Sequence, residues 1–242
     1  MPFTFSHPAI VLPLKNILGR HVSLIALIIG SLTPDFEYFL RMKMYGEYGH
    51  TFYGVLGFDL PLGIILYLIF HRIIKKPLIE NSPRFIQGRL AIFKNDDGFG
   101  YFKRHYFIVI FSIIIGAYSH LFWDLFTHHN TCLVNYFELH QTIANTTIPF
   151  FKLLQHLSSV VGMLFIFSYL LMMKQAPCQY TQPKLSFWFK MIIFASSIFI
   201  IRIYFLQNLT QYGDIIVSGI TSGIVALIIV CLNEKLKIKK SP

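Results

Sequence analysis

The segment SHLFWDLFTHH, residues 119–129, carries the densest chemistry in the chain. His120 and Asp124 stand four residues apart, so on a helix they share one face. His128 continues that stripe one turn further, rotated by about 40°. Neutral imidazole and carboxylate at this spacing can give one divalent metal ion two or three ligands from a single helix. A plainer reading is a polar cluster capping the end of an apolar helix. His129 points away from the stripe. A second candidate is GSLTPDFEYF, residues 30–39, where Pro34 fixes a turn or helix break and Asp35 follows it. The carboxylate would then sit at a defined bend, although a Pro-Asp pair is also an ordinary turn or helix cap. Glu37 reads as an exposed first-turn acid. His7 in FSHPAI, His50 in YGHTFYG and His156 in LLQHLSS are lone histidines, and each by itself reads as interfacial or hydrogen-bonded. His21, His71 and His105 read as interfacial too. His140, close to Glu138, has no supporting pattern.

These residues must be positioned by apolar elements. Of 242 residues, 55% are hydrophobic and only 13% charged, against about 25% charged in soluble domains. Mean hydropathy is +0.58, which points to lipid as the solvent for much of the surface. Five stretches near the length of a bilayer crossing are predicted at 53–70, 106–127, 157–173, 187–206 and 214–232. Before them, 22–40 is too interrupted by Thr33, Pro34 and Asp35 to span. It predicts a buried or re-entrant helix ending at the Pro-Asp pair. The expected fold is all-α, a polytopic membrane helical bundle of about five transmembrane helices plus a partly buried N-terminal helical segment. The chain reads as one membrane domain, 1–242, with a site-forming segment 1–50, a motif-bearing core 51–173 and two C-terminal spans within 187–232. Cys132, Cys178 and Cys231 are too dispersed for a disulfide framework and read as packing residues. The first residues lack the basic and apolar regions of a cleavable signal, so the internal spans are expected to drive insertion.

Charge supplies an orientation. The formal net charge is +10, but no basic stretch interleaves with aromatics as a nucleic-acid binder would need. No nucleic-acid partner is expected. Lys and Arg instead crowd the 71–105 loop and the C-terminal tail, whereas 128–156 carries only Lys152. The positive-inside rule then places the C-terminus in the cytoplasm of a cell whose plasma or inner membrane holds the chain. In that orientation Asp35, His50, His120 to His128 and His156 all fall on the extracytoplasmic side. Asp and His inside a bilayer are costly and invite a functional explanation. Asp59, less than two turns beyond His50, reads either as a hydrogen-bond partner for a ligating histidine or as a helix-pairing residue. There is no GxSxG, P-loop, GxGxxG or HExxH to support serine-hydrolase or nucleotide chemistry.

The segments MPFTFSHPAIVLPL (1–14), ALIIGSLTPDFEYFLRM (26–42), GHTFYGVLGFDLPLGIILYLIFHR (49–72), GAYSHLFWDLFTH (116–128) and LLQHLSSVVG (153–162) together resemble an uncharacterised family of bacterial membrane proteins, domain-of-unknown-function family 4184. More remotely, their order of His, Gly-x-x-x-Pro-Asp, His, His-x-x-x-Asp and His is similar to membrane-bound metal-dependent hydrolases and to zinc-dependent phospholipase C. That resemblance implies His7, Asp35, His50, His120 and Asp124 as metal ligands, with His128 and His156 as ligands of a further metal. The soluble phospholipase fold also uses a His-x-x-x-Glu pair. Here Val160 stands four residues after His156, so one or two ions are expected rather than three. The implied function is hydrolysis of an amphiphilic phosphoester, such as a phospholipid or lipid-linked phosphate, with zinc or another divalent ion. Asp35 and Asp124 are the candidate catalytic carboxylates, orienting water or bridging metals. A transporter or ion-handling protein, and a non-catalytic membrane scaffold, remain as alternatives.

Overall fold

A computed structural model describes residues 3–144, 146–177, 180–205 and 211–240. Among the described residues the fold is all-α. In chain order the helices are α1 (Pro8–Leu18), α2 (Leu24–Gly30), α3 (Thr33–Arg41), α4 (Val55–Glu80), α5 (Arg84–Lys94), α6 (Gly98–Arg104), α7 (Tyr106–Asp124), α8 (Cys132–Tyr136), α9 (Phe150–Met172), α10 (Leu185–Phe205) and α11 (Tyr212–Lys240). Five of these, α4, α7, α9, α10 and α11, are long and apolar enough to cross a membrane. α4 contains two π-helical turns, Val55–Asp59 and Phe70–Ile74.

The chain forms two compact units. The first comprises Met1–Asp35, Glu47–Tyr67 and His105–Leu171. Its N-terminal part begins with a 3₁₀ turn, Thr4–Ser6, followed by α1 with Pro8 at the first helical position, where no N–H is needed. Gly19 ends α1 at φ 52°, a conformation that suits glycine, and the Lys15 ammonium donates to the carbonyls of Gly19 (2.7 Å) and Val22 (2.9 Å). Val11, Val22 and Leu27 form a fully buried cluster against which Ile10, Leu14 and Ile115 pack. α2 lies directly on α7. A Cβ on Gly30 would meet the Ile113 carbonyl oxygen at 2.2 Å, and one on Gly116 would meet that of Leu27 at 2.4 Å. Backbones this close need small residues at the crossing, as in membrane helix pairs. The Ser23 N–H also donates to Ser112 Oγ at 2.9 Å, tying the start of α2 to α7.

The second unit comprises Phe36–Gly46, Leu68–Arg104 and Met172–Pro242. α10 and α11 pack on each other, with Phe187, Val230 and Cys231 buried against Ile73 and Ile74. The segment after α3 is clasped by polar side chains of these helices. Thr221 Oγ1 donates to the Phe39 carbonyl (3.0 Å), and Arg202 and Ser218 donate to that of Met42 (3.1 and 3.3 Å). The Asp214 carboxylate accepts the Met44 N–H at 2.8 Å.

Several expectations change. The helix expected to end at the Pro-Asp pair instead breaks after Gly30, and a new helix begins at Thr33. Pro34 therefore initiates α3, and its missing N–H costs nothing there. Glu37 is not exposed: it is 2% accessible and paired with Arg41 at 2.9 Å. The third span starts earlier, at Phe150, so His156 lies within a helix rather than before one. Cys231 packs in a core, but Cys132 is exposed; Cys178 lies outside the described residues.

Candidate metal centre

His7, Asp35, His50, His120, Asp124 and His128 all belong to the first unit, and its backbone brings their side chains together. The 3₁₀ turn Thr4–Ser6 delivers His7 at the start of α1. The break after α2 sets Asp35 in the first turn of α3. The α2–α7 contact brings the Ser31 carbonyl beside His120. Gly49 lets the turn before α4 lie against Pro34, since a Cβ there would meet the Pro34 carbonyl oxygen at 2.5 Å. That close approach puts His50 next to Asp35.

Four donor atoms face one another in a ring. His50 Nε2 is 3.2 Å from Asp35 Oδ1 and 3.5 Å from Asp124 Oδ2. His120 Nε2 is 3.5 Å from Asp35 Oδ1 and 3.2 Å from Asp124 Oδ2. The other oxygen of Asp124 faces two more histidines, His7 Nε2 at 3.4 Å and His128 Nδ1 at 3.3 Å. Asp35 Oδ1, His120 Nε2, Asp124 Oδ2 and His128 Nδ1 are buried yet hydrogen-bond to nothing among the described residues. The atoms are near each other but not aimed at each other. Ligand atoms about 2.0–2.2 Å from one ion stand about 2.8–3.6 Å apart at neighbouring tetrahedral or octahedral positions. The observed spacings fall in that range. Two sets of three groups can each enclose an ion: His7, Asp35 and His120, and His50, His120 and Asp124. Nitrogen and carboxylate oxygen together suit zinc and neighbouring transition ions better than calcium or magnesium.

The far sides of these ligands are fixed. His120 Nδ1 is 2.8 Å from the Ser31 carbonyl and His7 Nδ1 is 3.1 Å from the Thr4 carbonyl. In each case the imidazole donates through Nδ1, which leaves an Nε2 lone pair facing the cluster. Thr4 Oγ1 donates to Asp35 Oδ2 at 2.5 Å, so only Oδ1 of that carboxylate turns inward. The rings of His7 and His120 stack with centroids 3.7 Å apart and 14° between planes.

Charge follows from this packing for the groups outside the spans. Burial would raise the Asp35 carboxyl, but the His120 and His50 imidazoles outweigh it and hold the group well below the ordinary carboxylate range. Burial, and then the neighbouring His120, lowers His7, which favours the neutral imidazole that ligation requires. For His50 burial acts downward, but the carboxylates of Asp124 and Asp35 prevail and raise it. His7, Asp35 and His120 are fully buried, while the side chains of His50 and His128 are 22% and 28% accessible. The cluster therefore opens to the outside past His50 and His128.

One expected ligand is elsewhere. His156 is exposed on α9, where its neighbour Gln155 is the buried residue of that turn, and it belongs to neither ligand set. Asp59 is fully buried at the end of the first π-helical turn of α4, and its carboxylate is in neither ligand set. Thr4 and Ser31 were not foreseen. A Thr three residues before His7 is the one sequence signal that could have found the first. Ser31 acts through its backbone and leaves no signal in residue type.

These features define a multi-pass helical membrane protein with a buried His/Asp cluster able to hold a metal ion. The chain belongs to the DUF4184 family, described as a domain of unknown function, whose sequence profile matches residues 1–232. No curated protein and no solved structure matches it.

Proposed function

We propose that the cluster is the divalent-metal centre of a membrane-embedded hydrolase acting on an amphiphilic phosphoester. The observation that carries this reading is the ring of donor atoms, 3.2–3.5 Å apart, in which Asp35 Oδ1, His120 Nε2 and Asp124 Oδ2 are buried with no hydrogen-bond partner among the described residues. Leaving two carboxylate oxygens and an imidazole nitrogen buried and unsatisfied costs several kcal/mol unless a ligand compensates them. His50, His120 and Asp124 would hold an ion, and His7, Asp35 and His120 are the other set that could. Zinc at such a site supplies Lewis acidity towards a phosphoryl oxygen and lowers the pKa of water. The chain's own groups would orient the reaction: Asp124 Oδ1, which lies outside the ring, could accept a proton from water, and His50 and His128 flank the accessible side of the cluster. By the distribution of Lys and Arg, that opening belongs on the extracytoplasmic face of the cell membrane, where a lipid headgroup could reach it. The resemblance in motif order to zinc-dependent phospholipase C is what suggests a phosphoester substrate.

The test is incubation of metal-loaded protein with a panel of lipid phosphoesters, beside the Asp35→Asn variant. Metal-dependent release of a headgroup or phosphate, lost in the variant, is expected. Tight metal binding with no hydrolysis across the panel would favour ion handling instead, a reading that Asp59, buried within the candidate span Val55–Glu80, already supports.

A further inference from the structure

The second unit contains a cleft of about 840 Å³ that the metal centre does not use. It opens where two candidate spans end, between the last turns of α4 and of α11, with the 94–99 segment as its third wall. Its lining carries Arg72, Lys75, Lys76, Lys94 and Lys235 against three carboxylates, Glu80, Asp96 and Asp97. The carboxylates are already engaged. Lys94 pairs with Glu80 at 3.2 Å, and buried Lys75 donates to the Asp96 carbonyl at 2.5 Å with the Asp96 carboxylate 3.7 Å away. Asp97 accepts the Gly100 N–H at 2.9 Å. That leaves Arg72, Lys76 and Lys235, all exposed, with no carboxylate partner among the described residues. Arg72 is nonetheless held in place, its guanidinium stacked 3.7 Å from the Phe99 ring centroid, and Lys235 Nζ donates to the Arg72 carbonyl at 2.6 Å.

We infer that this cleft binds the headgroup of an anionic phospholipid. Five cations against three carboxylates give the lining a net positive charge, and Arg72, Lys76 and Lys235 stand outside its ion pairs, which suits a phosphate diester. Pro77, Phe99, Leu232 and Leu236 give the same cavity an apolar wall, which a free phosphate would not need and which the glycerol and upper acyl carbons of a lipid would cover. Its place at the ends of two spans is the depth at which headgroups lie. Basic pockets between transmembrane helices hold anionic headgroups in just this setting. Scattered Lys and Arg that merely set topology would not need to share a cavity, nor to have their neighbouring carboxylates occupied elsewhere.

The test uses the full chain in detergent, with native mass spectrometry after stepwise removal of lipid. Phosphatidylglycerol and phosphatidylcholine are added in equal amounts to wild type and to the triple variant Arg72→Gln, Lys76→Gln, Lys235→Gln. Wild type should retain phosphatidylglycerol preferentially. The triple variant should lose that preference by about fivefold for each cation removed. Should the triple variant not fold, Lys76→Glu alone, at an exposed position, is compared and should weaken retention by at least that single step. Equal retention of the two lipids by wild type overturns the inference, as does unchanged preference in whichever variant is read. Complete displacement of the lipid by millimolar inorganic phosphate would identify the ligand as free phosphate and overturn it equally.

Discussion

The two units treat buried charge in opposite ways. In the second, the buried ionic groups among the described residues have partners of ordinary geometry. Glu234 accepts from Lys184 at 3.0 Å, Lys237 at 3.2 Å and Lys190 at 3.4 Å. Asp214 accepts a backbone N–H, and Lys75 donates to a carbonyl. In the first, four histidines and two aspartates crowd one volume, and Asp35 Oδ1, His120 Nε2, Asp124 Oδ2 and His128 Nδ1 have no hydrogen-bond partner among the described residues. The chain can evidently satisfy a buried carboxylate, so the contrast locates the exception. Pairing fixes a fold by itself. Convergence of this kind leaves a place that could hold a cation.

The largest test of that contrast is Asp124, whose two oxygens face four histidines. Asp124→Ala is expected to abolish metal binding, a loss beyond the roughly 10–100-fold that follows removal of an outer hydrogen-bond partner. Isothermal titration of metal into apo protein measures it. Acidity should come next. His50 sits above its ordinary value of 6.5 without metal, so a proton must leave it before it can ligate. Metal affinity should therefore rise with pH above 6.5, by up to about tenfold per pH unit for the one proton displaced, and binding should release protons into buffer. Affinity independent of pH between 6 and 8, each bound being about half a unit or more from that value, would remove His50 from the ligand set. Thr4→Val deletes the hydroxyl that turns Asp35 inward and should weaken binding by about 10–100-fold while the helices remain intact by circular dichroism. At the small end, Glu234→Gln breaks the paired cluster of the second unit. It should cost about 1 kcal/mol or less, because its three lysines are partly or largely solvent-exposed, and should leave metal content unchanged.

The spans were legible in the sequence because hydropathy over about 20 residues is a property of composition. Their ends were less so. Phe150 to Gln155 mixes apolar residues with Lys152, and only the structure shows that it continues the helix of α9. The stripe His120, Asp124 and His128 was legible because one helix supplies all three at fixed spacing. His7, Asp35 and His50 were not legible from spacing at all. They lie on separate elements, and what joins them is the close approach of α2 to α7 and of Gly49 to Pro34, which no local pattern encodes. Motif order pointed to them; packing places them. Glu37 was misread because the 3.6-residue pattern of a short helix says which face a residue occupies, not what covers that face. Ser31 was invisible for the simplest reason, since it contributes a backbone carbonyl.

The central claim is tested most directly by the metal content of the purified full-length protein, measured by inductively coupled plasma mass spectrometry beside His120→Ala. The account predicts one or two divalent ions per wild-type chain, zinc foremost, and a clear loss in the variant. Wild-type protein that stays metal-free after incubation with zinc, or a variant that retains the full complement, would contradict it.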